Sequence, residues 1–328
     1  MKKMIVVTGG AGFIGSALVW KLNQLGEDNI LIVDSLRESE KWKNISGLRF
    51  RDYLEKDDFL SRITSGGWSG EIEAVFHLGA CSSTTEKDIR YLIKNNYEYT
   101  KALAGYCAAG GVRFIYASSA ATYGDGRQGY RDNEEEIDQL RPLNGYGFSK
   151  QIFDLWARRE GLLSRIAGLK YFNVFGPNEY HKGDMRSMIC KGFEQIQATG
   201  RLRLFKSERP EYGDGEQERD FVYVKDAVTM TVYFYQHPDK NGLFNIGTGR
   251  AHTWNTLAAA IFAALDRPIK IDYIPLPDHL RGKYQYHTQA EIGRLRAAGC
   301  AAPFTPLKET VRDYVQNYLV PGAYLDNN

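Results

Sequence analysis

The chain of 328 residues has few cysteines, few histidines, no surplus of either charge and no long apolar run, and each shortage excludes a class of protein. Its four cysteines, Cys81, Cys107, Cys190 and Cys300, are widely scattered. There is no Cys-x-x-Cys pair and no histidine cluster to complete a metal site, so neither a disulfide nor a bound metal is expected. Lys and Arg number 42 against 40 Asp and Glu, a formal net charge of +2 that is too balanced for a chain whose main partner is nucleic acid. Any cation that matters must act locally, on a phosphate. The first apolar run, Met4 to Val7, ends in a Gly-rich turn and falls far short of the roughly 20 residues a membrane helix needs. Lys2 and Lys3 precede no signal-peptide core. A cytoplasmic protein without a membrane partner is the expectation.

What the chain does have is an alternation. A hydrophobic content of 43% suits a folded chain of this length, large enough for one main domain and a smaller appended lobe. Met4 to Val7 and Ile30 to Val33 are short β-branched runs, and Phe13 to Leu25 between them repeats at helical spacing, a βαβ unit. Ala74 to His77, a helix from about Lys87 to Ala109, Val112 to Ala117, a helix opening near Tyr146 and a strand from Gly168 to Phe172 continue it. The pattern predicts an α/β fold, a Rossmann-type doubly wound parallel sheet with a smaller C-terminal α/β lobe. Residues 1–172 are expected to bind a dinucleotide. Residues 173–328 are expected to form mainly the substrate lobe, with some segments returning to the large domain. Past Gly176-Pro177 the pattern loosens into a helix near Met185 to Ala198 and the charged, Gly-rich stretch Lys206 to Asp220.

Gly9, Gly12 and Gly15 follow the first strand and open the first helix, the setting in which glycines turn the chain, admit a pyrophosphate and pack helix on strand. The spacing alone also occurs in ordinary turns. Asp34 ends the second strand, where a carboxylate can accept hydrogen bonds from an adenosine ribose, which argues for NAD. Ser35, Arg37, Lys41 and Lys56 argue for NADP, since a hydroxyl and cations could hold a 2′-phosphate, although each basic residue could equally be solvated surface charge. Leu78-Gly79-Ala80-Cys81-Ser82, after the next long strand, is a small-residue turn at the carboxyl edge of the sheet and a candidate backbone contact to the cofactor.

A hydride-transfer set lies downstream. A tyrosine of pKa about 10 is a poor base at neutral pH; a lysine one helical turn on can stabilise its phenolate, and a lowering of about three units needs about 4 kcal/mol. Tyr146 and Lys150 have that spacing, though in a chain with 21 tyrosines it also arises by chance. Ser119, in Ser118-Ser119-Ala120-Ala121-Thr122-Tyr123-Gly124, presents a hydroxyl at the same sheet edge, able to hydrogen-bond a substrate hydroxyl or the carbonyl it becomes.

The glycine loop, the Ser-Ser-Ala segment and Tyr-x-x-x-Lys, in that order, resemble the extended short-chain dehydrogenase/reductase superfamily. Within it, Gly79-Ala80-Cys81-Ser82-Ser83-Thr84-Thr85-Glu86, Tyr171-Phe172-Asn173-Val174-Phe175-Gly176-Pro177, His181-Lys182-Gly183, Arg219-Asp220-Phe221-Val222-Tyr223-Val224 and Gly282-Lys283-Tyr284-Gln285 look like the ADP-heptose 6-epimerase family, nearly end to end. The resemblance implies a bound NADP, with NAD possible, and cofactor contacts that also include Phe13, Ile14, Asn95, Val174, Lys150 and Lys182. It implies ADP-heptose as substrate, held by Asn173, Asp184, Lys191, Phe205, Lys206, Ser207, Arg219 and Tyr284, with the Arg219 guanidinium suited to a pyrophosphate. Asn173 could equally be a buried turn residue, and Phe205 or Tyr284 core aromatics. Asp184 and Lys191 stand where enteric members have Ser and His, and extra residues fill Pro210 to Gln217.

The implied reaction interconverts ADP-D-glycero-D-manno-heptose and its L-glycero epimer for the inner core of lipopolysaccharide. C6 has no adjacent carbonyl to acidify its C–H, so transient oxidation and re-reduction is the route. The oxygen must lose and regain its proton in two orientations; Tyr146 would serve one, and the resemblance nominates Lys182 for the other, a position that a phosphate-binding or surface lysine could also explain. A 4,6-dehydratase would need carboxylates where Ala120 and Ala121 stand. Another nucleotide-sugar epimerase or reductase, such as a UDP-hexose 4-epimerase, and a non-catalytic dinucleotide sensor are the alternatives. A homo-oligomer is expected, as among many relatives of this superfamily.

Overall fold

A computed structural model describes residues 2–278, 281, 284–301 and 303–326. Its first part runs β1 (Met4–Thr8), α1 (Phe13–Gln24), β2 (Ile30–Asp34), β3 (Asp52–Glu55), α2 (Lys56–Thr64), β4 (Ile72–His77), α3 (Ile89–Leu92), α4 (Tyr99–Gly110), β5 (Arg113–Ser119), α5 (Gly145–Arg159) and β6 (Ala167–Tyr171). There follow β7 (Asn173–Phe175), α6 (Met188–Thr199), β8 (Leu202–Phe205), β9 (Glu218–Arg219), β10 (Phe221–Tyr223), α7 (Val224–Gln236), β11 (Gly242–Ile246), β12 (His252–Thr253), α8 (Trp254–Ala264), β13 (Ile271–Ile274), α9 (Gly293–Ala297) and α10 (Leu307–Tyr314).

A seven-stranded sheet takes the order β11-β6-β5-β4-β1-β2-β3, and each neighbouring pair is parallel. This is the doubly wound α/β arrangement the alternation predicts. Strands β1 and β2 are buried at every position, because helices cover both faces of the sheet and an unbroken apolar run is then favourable. The order reverses between β1 and β4, which opens a crevice at their carboxyl ends. The pairs β7–β10, β8–β13 and β9–β12 form small separate sheets, while β11 returns to the edge of the main one.

Three details depart from the periodicity. Strand β3 was not legible, since Asp52-Tyr53-Leu54-Glu55 is a polar, partly exposed edge strand. The helix expected from Lys87 to Ala109 is interrupted by a π-helical turn over Ile93–Glu98, and such a turn rephases the side chains after it. It carries the fully buried Asn96. The helix expected from Met185 begins at Met188 instead, where Ser187 caps it by accepting from Cys190 N and donates its own hydroxyl to Glu179 at 2.6 Å. Cys107, Cys190 and Cys300 are buried and Cys81 is half-buried. No helix among the described residues is long and apolar enough to cross a membrane.

One ion pair lies wholly inside. Lys170 of β6 reaches Asp154 of α5 at 2.7 Å, both side chains 0% exposed. Asp154 also accepts from Tyr116 at 2.8 Å and Ser118 at 2.7 Å, both on β5, and Lys170 donates to Thr122 at 2.8 Å. Removing one member of such a pair leaves the other charged and unpaired, which typically costs about 3–5 kcal/mol. Lys170→Met is expected to lose stability on that scale, read as the shift of the urea unfolding midpoint. A loss below about 1 kcal/mol would show that Asp154 is satisfied by its two hydroxyl donors alone.

Candidate active site

The glycine loop closes at the carboxyl end of β1. Gly9 has φ +69°, the left-handed region, and a Cβ on Gly15 would lie 1.9 Å from the Gly9 carbonyl, so the helix can approach the strand only with glycine there. Gly12 would meet only that same carbonyl, at 3.1 Å, and its other side is open. Helix α1 starts at Gly12 with no side-chain cap, which leaves its first amides to an outside acceptor. The loop therefore fits a dinucleotide pyrophosphate.

Beside it a cavity of about 250 Å³ is lined by Asp34, Ser35, Arg37, Lys41, Lys56, Gly79, Ala80, Cys81 and Asn95. Asp34 accepts from the amides of Ala11 at 2.9 Å and Ser35 at 2.7 Å. Three of the residues expected to hold a 2′-phosphate are already engaged, Lys56 with Asp57 at 2.7 Å. Lys41 pairs with Asp34 at 2.8 Å, and the Ser35 hydroxyl donates to Glu55 at 2.9 Å. Glu55 went unseen in the sequence because its strand did. Asn96, also unforeseen, holds the small-residue turn from behind: its Oδ1 accepts from Cys81 N at 2.8 Å, and its Nδ2 donates to Cys81 O and to Ser149 of α5, each at 2.9 Å.

A second cavity of about 310 Å³ adjoins the first and is lined by Gly9, Gly12, Phe13, Ile14, Gly15, Leu78, Gly79, Ala80, Ser82, Ser119, Tyr146, Lys150, Val174, His181 and Lys182. Ser119, Tyr146, Lys150 and Lys182 thus come together from three different stretches of chain. Asn144 caps α5 by accepting from Gly147 N at 2.8 Å, which starts the helix just before Tyr146. Lys150, one turn on, donates to Ala117 O at 2.8 Å. Burial lowers its pKa to about 8, against the opposing Asp154 carboxylate. Burial raises that of Tyr146, and a hydrogen bond with Ser119 pulls the other way. In the free protein the phenol is therefore raised, not lowered as the spacing to Lys150 predicts, and the group that opposes desolvation is Ser119. Lys182 sits on the turn Tyr180–Met185 with its Nζ 5.0 Å from the centre of the Phe13 ring; burial lowers its pKa most, Glu179 opposes and Lys191 adds to the lowering.

A third cavity, about 680 Å³, lies under the small sheets, lined by Asn173, Val174, Lys191, Phe205 and Tyr284, with Arg203, Phe221 and Trp254 among its further walls. Arg219 is 6% exposed. Its guanidinium lies 5.6 Å from the Trp254 ring and 5.3 Å from the Tyr284 ring, and it donates to the carbonyls of Glu218 and Gln285, so its fork is largely committed within the protein. Lys206, Ser207 and Asp184 stand outside these walls: the Ser207 hydroxyl donates to Arg209 O at 2.8 Å, Lys206 is exposed, and Asp184 is exposed with its carbonyl accepting from Lys191 at 3.2 Å. Gly282 and Lys283 lie outside the described residues.

A sequence profile of the NAD dependent epimerase/dehydratase family matches residues 5–247. The chain belongs to that family. It is 54% identical over 316 residues to an ADP-L-glycero-D-manno-heptose-6-epimerase from Nitratidesulfovibrio vulgaris, covering 96% of this chain and 98% of the relative, and 47% identical over 325 residues to one from Fusobacterium nucleatum, covering 96% and 98%. Among solved structures, the ADP-L-glycero-D-manno-heptose-6-epimerase of Helicobacter pylori superposes with a TM-score of 0.79 at 28% identity, covering 96% of each chain. A UDP-N-acetylglucosamine 4-epimerase from Methanobrevibacter ruminantium also reaches 0.79, at 27% identity, covering 98% of this chain and all of that one. The protein is an epimerase with a nicotinamide dinucleotide cofactor.

Asn96→Leu should be costly here, since it strips both backbone groups of Cys81 of their partner, at about 1–3 kcal/mol for each group left unsatisfied. Weaker dinucleotide binding and a lower melting temperature are the expected outcomes. Native dinucleotide affinity, measured by titration calorimetry, would show that the turn keeps its shape without Asn96.

Proposed function

We propose that the chain interconverts ADP-D-glycero-D-manno-heptose and ADP-L-glycero-D-manno-heptose at C6, supplying heptose for the inner core of lipopolysaccharide, with NADP as its bound cofactor. The observation that carries the reading is the second cavity, where a tyrosine on α5 and a lysine on a separate turn face the same space beside the glycine loop. The close relatives named for this reaction support the substrate.

Tyr146 and Lys182 are the two acid/base groups, and Ser119 hydrogen-bonds the reacting oxygen. A dinucleotide held by the glycine loop and the turn at residues 79–82 would supply a hydride acceptor and donor for C6 and a positive charge favouring the Tyr146 phenolate. Lys150 keeps its charge below about pH 8 and steadies that phenolate from α5. Lys182, its proton loosened by burial, gives and takes the proton of the oxygen in its second orientation. Asn173, Lys191, Phe205 and Tyr284 line the cavity for the ADP half, whose size suits a nucleotide. Lys206, Ser207, Asp184 and Arg219, which the resemblance adds to this set, stand outside the walls of that cavity.

For the cofactor, Lys41 neutralises Asp34, and Arg37 and Lys56 line the adenosine cavity, which supports NADP. The Ser35–Glu55 hydrogen bond favours NAD as the second reading, since it places another carboxylate beside the ribose position. Mass analysis of nucleotide released by denaturing the purified protein decides: NADP is expected, and NAD alone would overturn that choice.

Tyr146→Phe and Lys182→Met are each expected to cut turnover by about 10²–10⁴-fold with the fold intact. Near-native rates in either would remove that residue from the mechanism. With ADP-D-glycero-D-manno-heptose carrying deuterium at C6, the L-glycero product should retain the label. Wash-out into solvent at the rate of turnover would exclude hydride transfer, and no epimerisation of this sugar at all would move the substrate to a UDP-hexose.

A further inference from the structure

The turn that carries Lys182 is tied to the glycine loop through one side-chain amide. Asn44 closes the short 3₁₀ turn Glu40–Asn44, is 1% exposed and belongs to none of the motifs recognisable in the sequence. Its Nδ2 has two hydrogens and lies within reach of two acceptors, Ala11 O at 2.9 Å and His181 Nδ1 at 3.1 Å. The N–H of the same Ala11 goes to Asp34 at 2.9 Å. Residue 11 is thus gripped on both sides, its N–H by the carboxylate at the ribose position and its carbonyl by the amide that also holds the neighbour of Lys182. Lys41, which neutralises Asp34, comes from the same turn as Asn44.

For Nδ1 to accept from Asn44, the ring must be neutral with its proton on Nε2. The surroundings keep the ring neutral: burial first, then the charges of Lys41 and Lys182, hold His181 down to about 4, with Asp34 and the Asn178 carbonyl opposing. The place of its proton follows from Asn44, whose Nδ2 can only donate. The ring also lines the cavity that holds Tyr146 and Lys182.

We propose that Asn44 and His181 are positioning residues that couple the dinucleotide loop to the Lys182 turn, so that a filled loop fixes Lys182 at the catalytic cavity. The proposal rests on the acid/base reading of Lys182 for its consequence in turnover, but the tie itself can be read without activity. The measurement is the rate at which acetic anhydride acylates Lys182, followed by peptide mass analysis, with NADP⁺ bound.

His181→Leu keeps much of the ring's volume and removes the acceptor. It is expected to raise the acylation rate of Lys182 about tenfold, within the range of coupling between contacting residues, and to lower kcat by a similar factor with little change in KM. His181→Asn, whose side-chain oxygen can take the place of Nδ1, should restore most of both. Native acylation of Lys182 in His181→Leu would overturn the proposal, as would failure of His181→Asn to recover either quantity.

In case His181→Leu does not fold, the native protein carries its own check. Histidine labelled with ¹⁵N should show two rings that do not titrate down to pH 5, those of His77 and His181, with the His181 signal, assigned by its loss in His181→Asn, held as the Nε2–H tautomer. A His181 that titrates near 6.5 would overturn the tie. Lys182→Met measured alongside separates the two readings. If it turns over at the native rate the acid/base role fails, while the acylation and tautomer results still decide whether Asn44 and His181 hold the turn.

Discussion

The buried carboxylate of Asp154 is the point on which the catalytic geometry depends. It sits one helical turn beyond Lys150 on α5 and receives Lys170 from β6 with Tyr116 and Ser118 from β5. Ser118 is the residue before Ser119, so the same carboxylate fixes the helix that carries Tyr146 and the strand end that presents the serine. A charge with no exposure is tolerated only when it is fully paired. Here the pairing uses both oxygens, and the penalty for losing any partner is what makes the placement sharp. Asp154 also opposes the fall in the pKa of Lys150, which ties the scaffold to the charge state of the site.

The free protein is set up as an acid. Desolvation raises Tyr146 and brings Lys150 down to about 8, so at neutral pH both keep their protons. Lys150 is a basic group with a depressed pKa, and the sign follows. Between about pH 8 and its unfolded value near 10.4, the unfolded chain binds the extra proton, and stability from this group rises with pH across that window. Below about pH 8 both states are protonated and its cost is constant. Holding a buried ammonium one helical turn from a desolvated phenol is therefore an expense of folding that the site carries for its chemistry, a pattern common at catalytic centres.

Much of this was legible in the chain because it is written in local rules. Period and turn chemistry predict the parallel sheet, and the glycines, Asp34, Ser119, Tyr146 and Lys150 line the crevice at its carboxyl edge. Lys182 lines it too, but only the family resemblance points to it. What stayed hidden depends on contacts made across the fold. Strand β3 has no apolar alternation, so Glu55 could not be placed next to Ser35. Asn96 faces inward only because a π turn rephases its helix, and nothing in the run Ile93 to Glu98 announces one. Arg219 reads as a free guanidinium until Trp254 and Tyr284, 35 and 65 residues further along the chain, are seen to enclose it.

The two acid/base candidates differ in how rigidly they are held, and the difference follows from where they lie. Tyr146 stands in the first turn of a capped helix anchored through Asp154 and Asn96, both buried. Lys182 stands on the short turn Tyr180–Met185, which bends at Gly183 with φ +54° and has no fully buried residue, one further tie being the Tyr180 hydroxyl on Ala323 O at 2.8 Å. A chain of hydrogen bonds through His181 and Asn44 supplies from the glycine loop the constraint that local structure does not. A reaction that inverts a centre needs one oxygen served from two positions, so the protein needs one acid/base group built into the sheet domain and another brought to it. The contact between those two parts of the chain, more than either residue alone, is what this architecture has to hold in register.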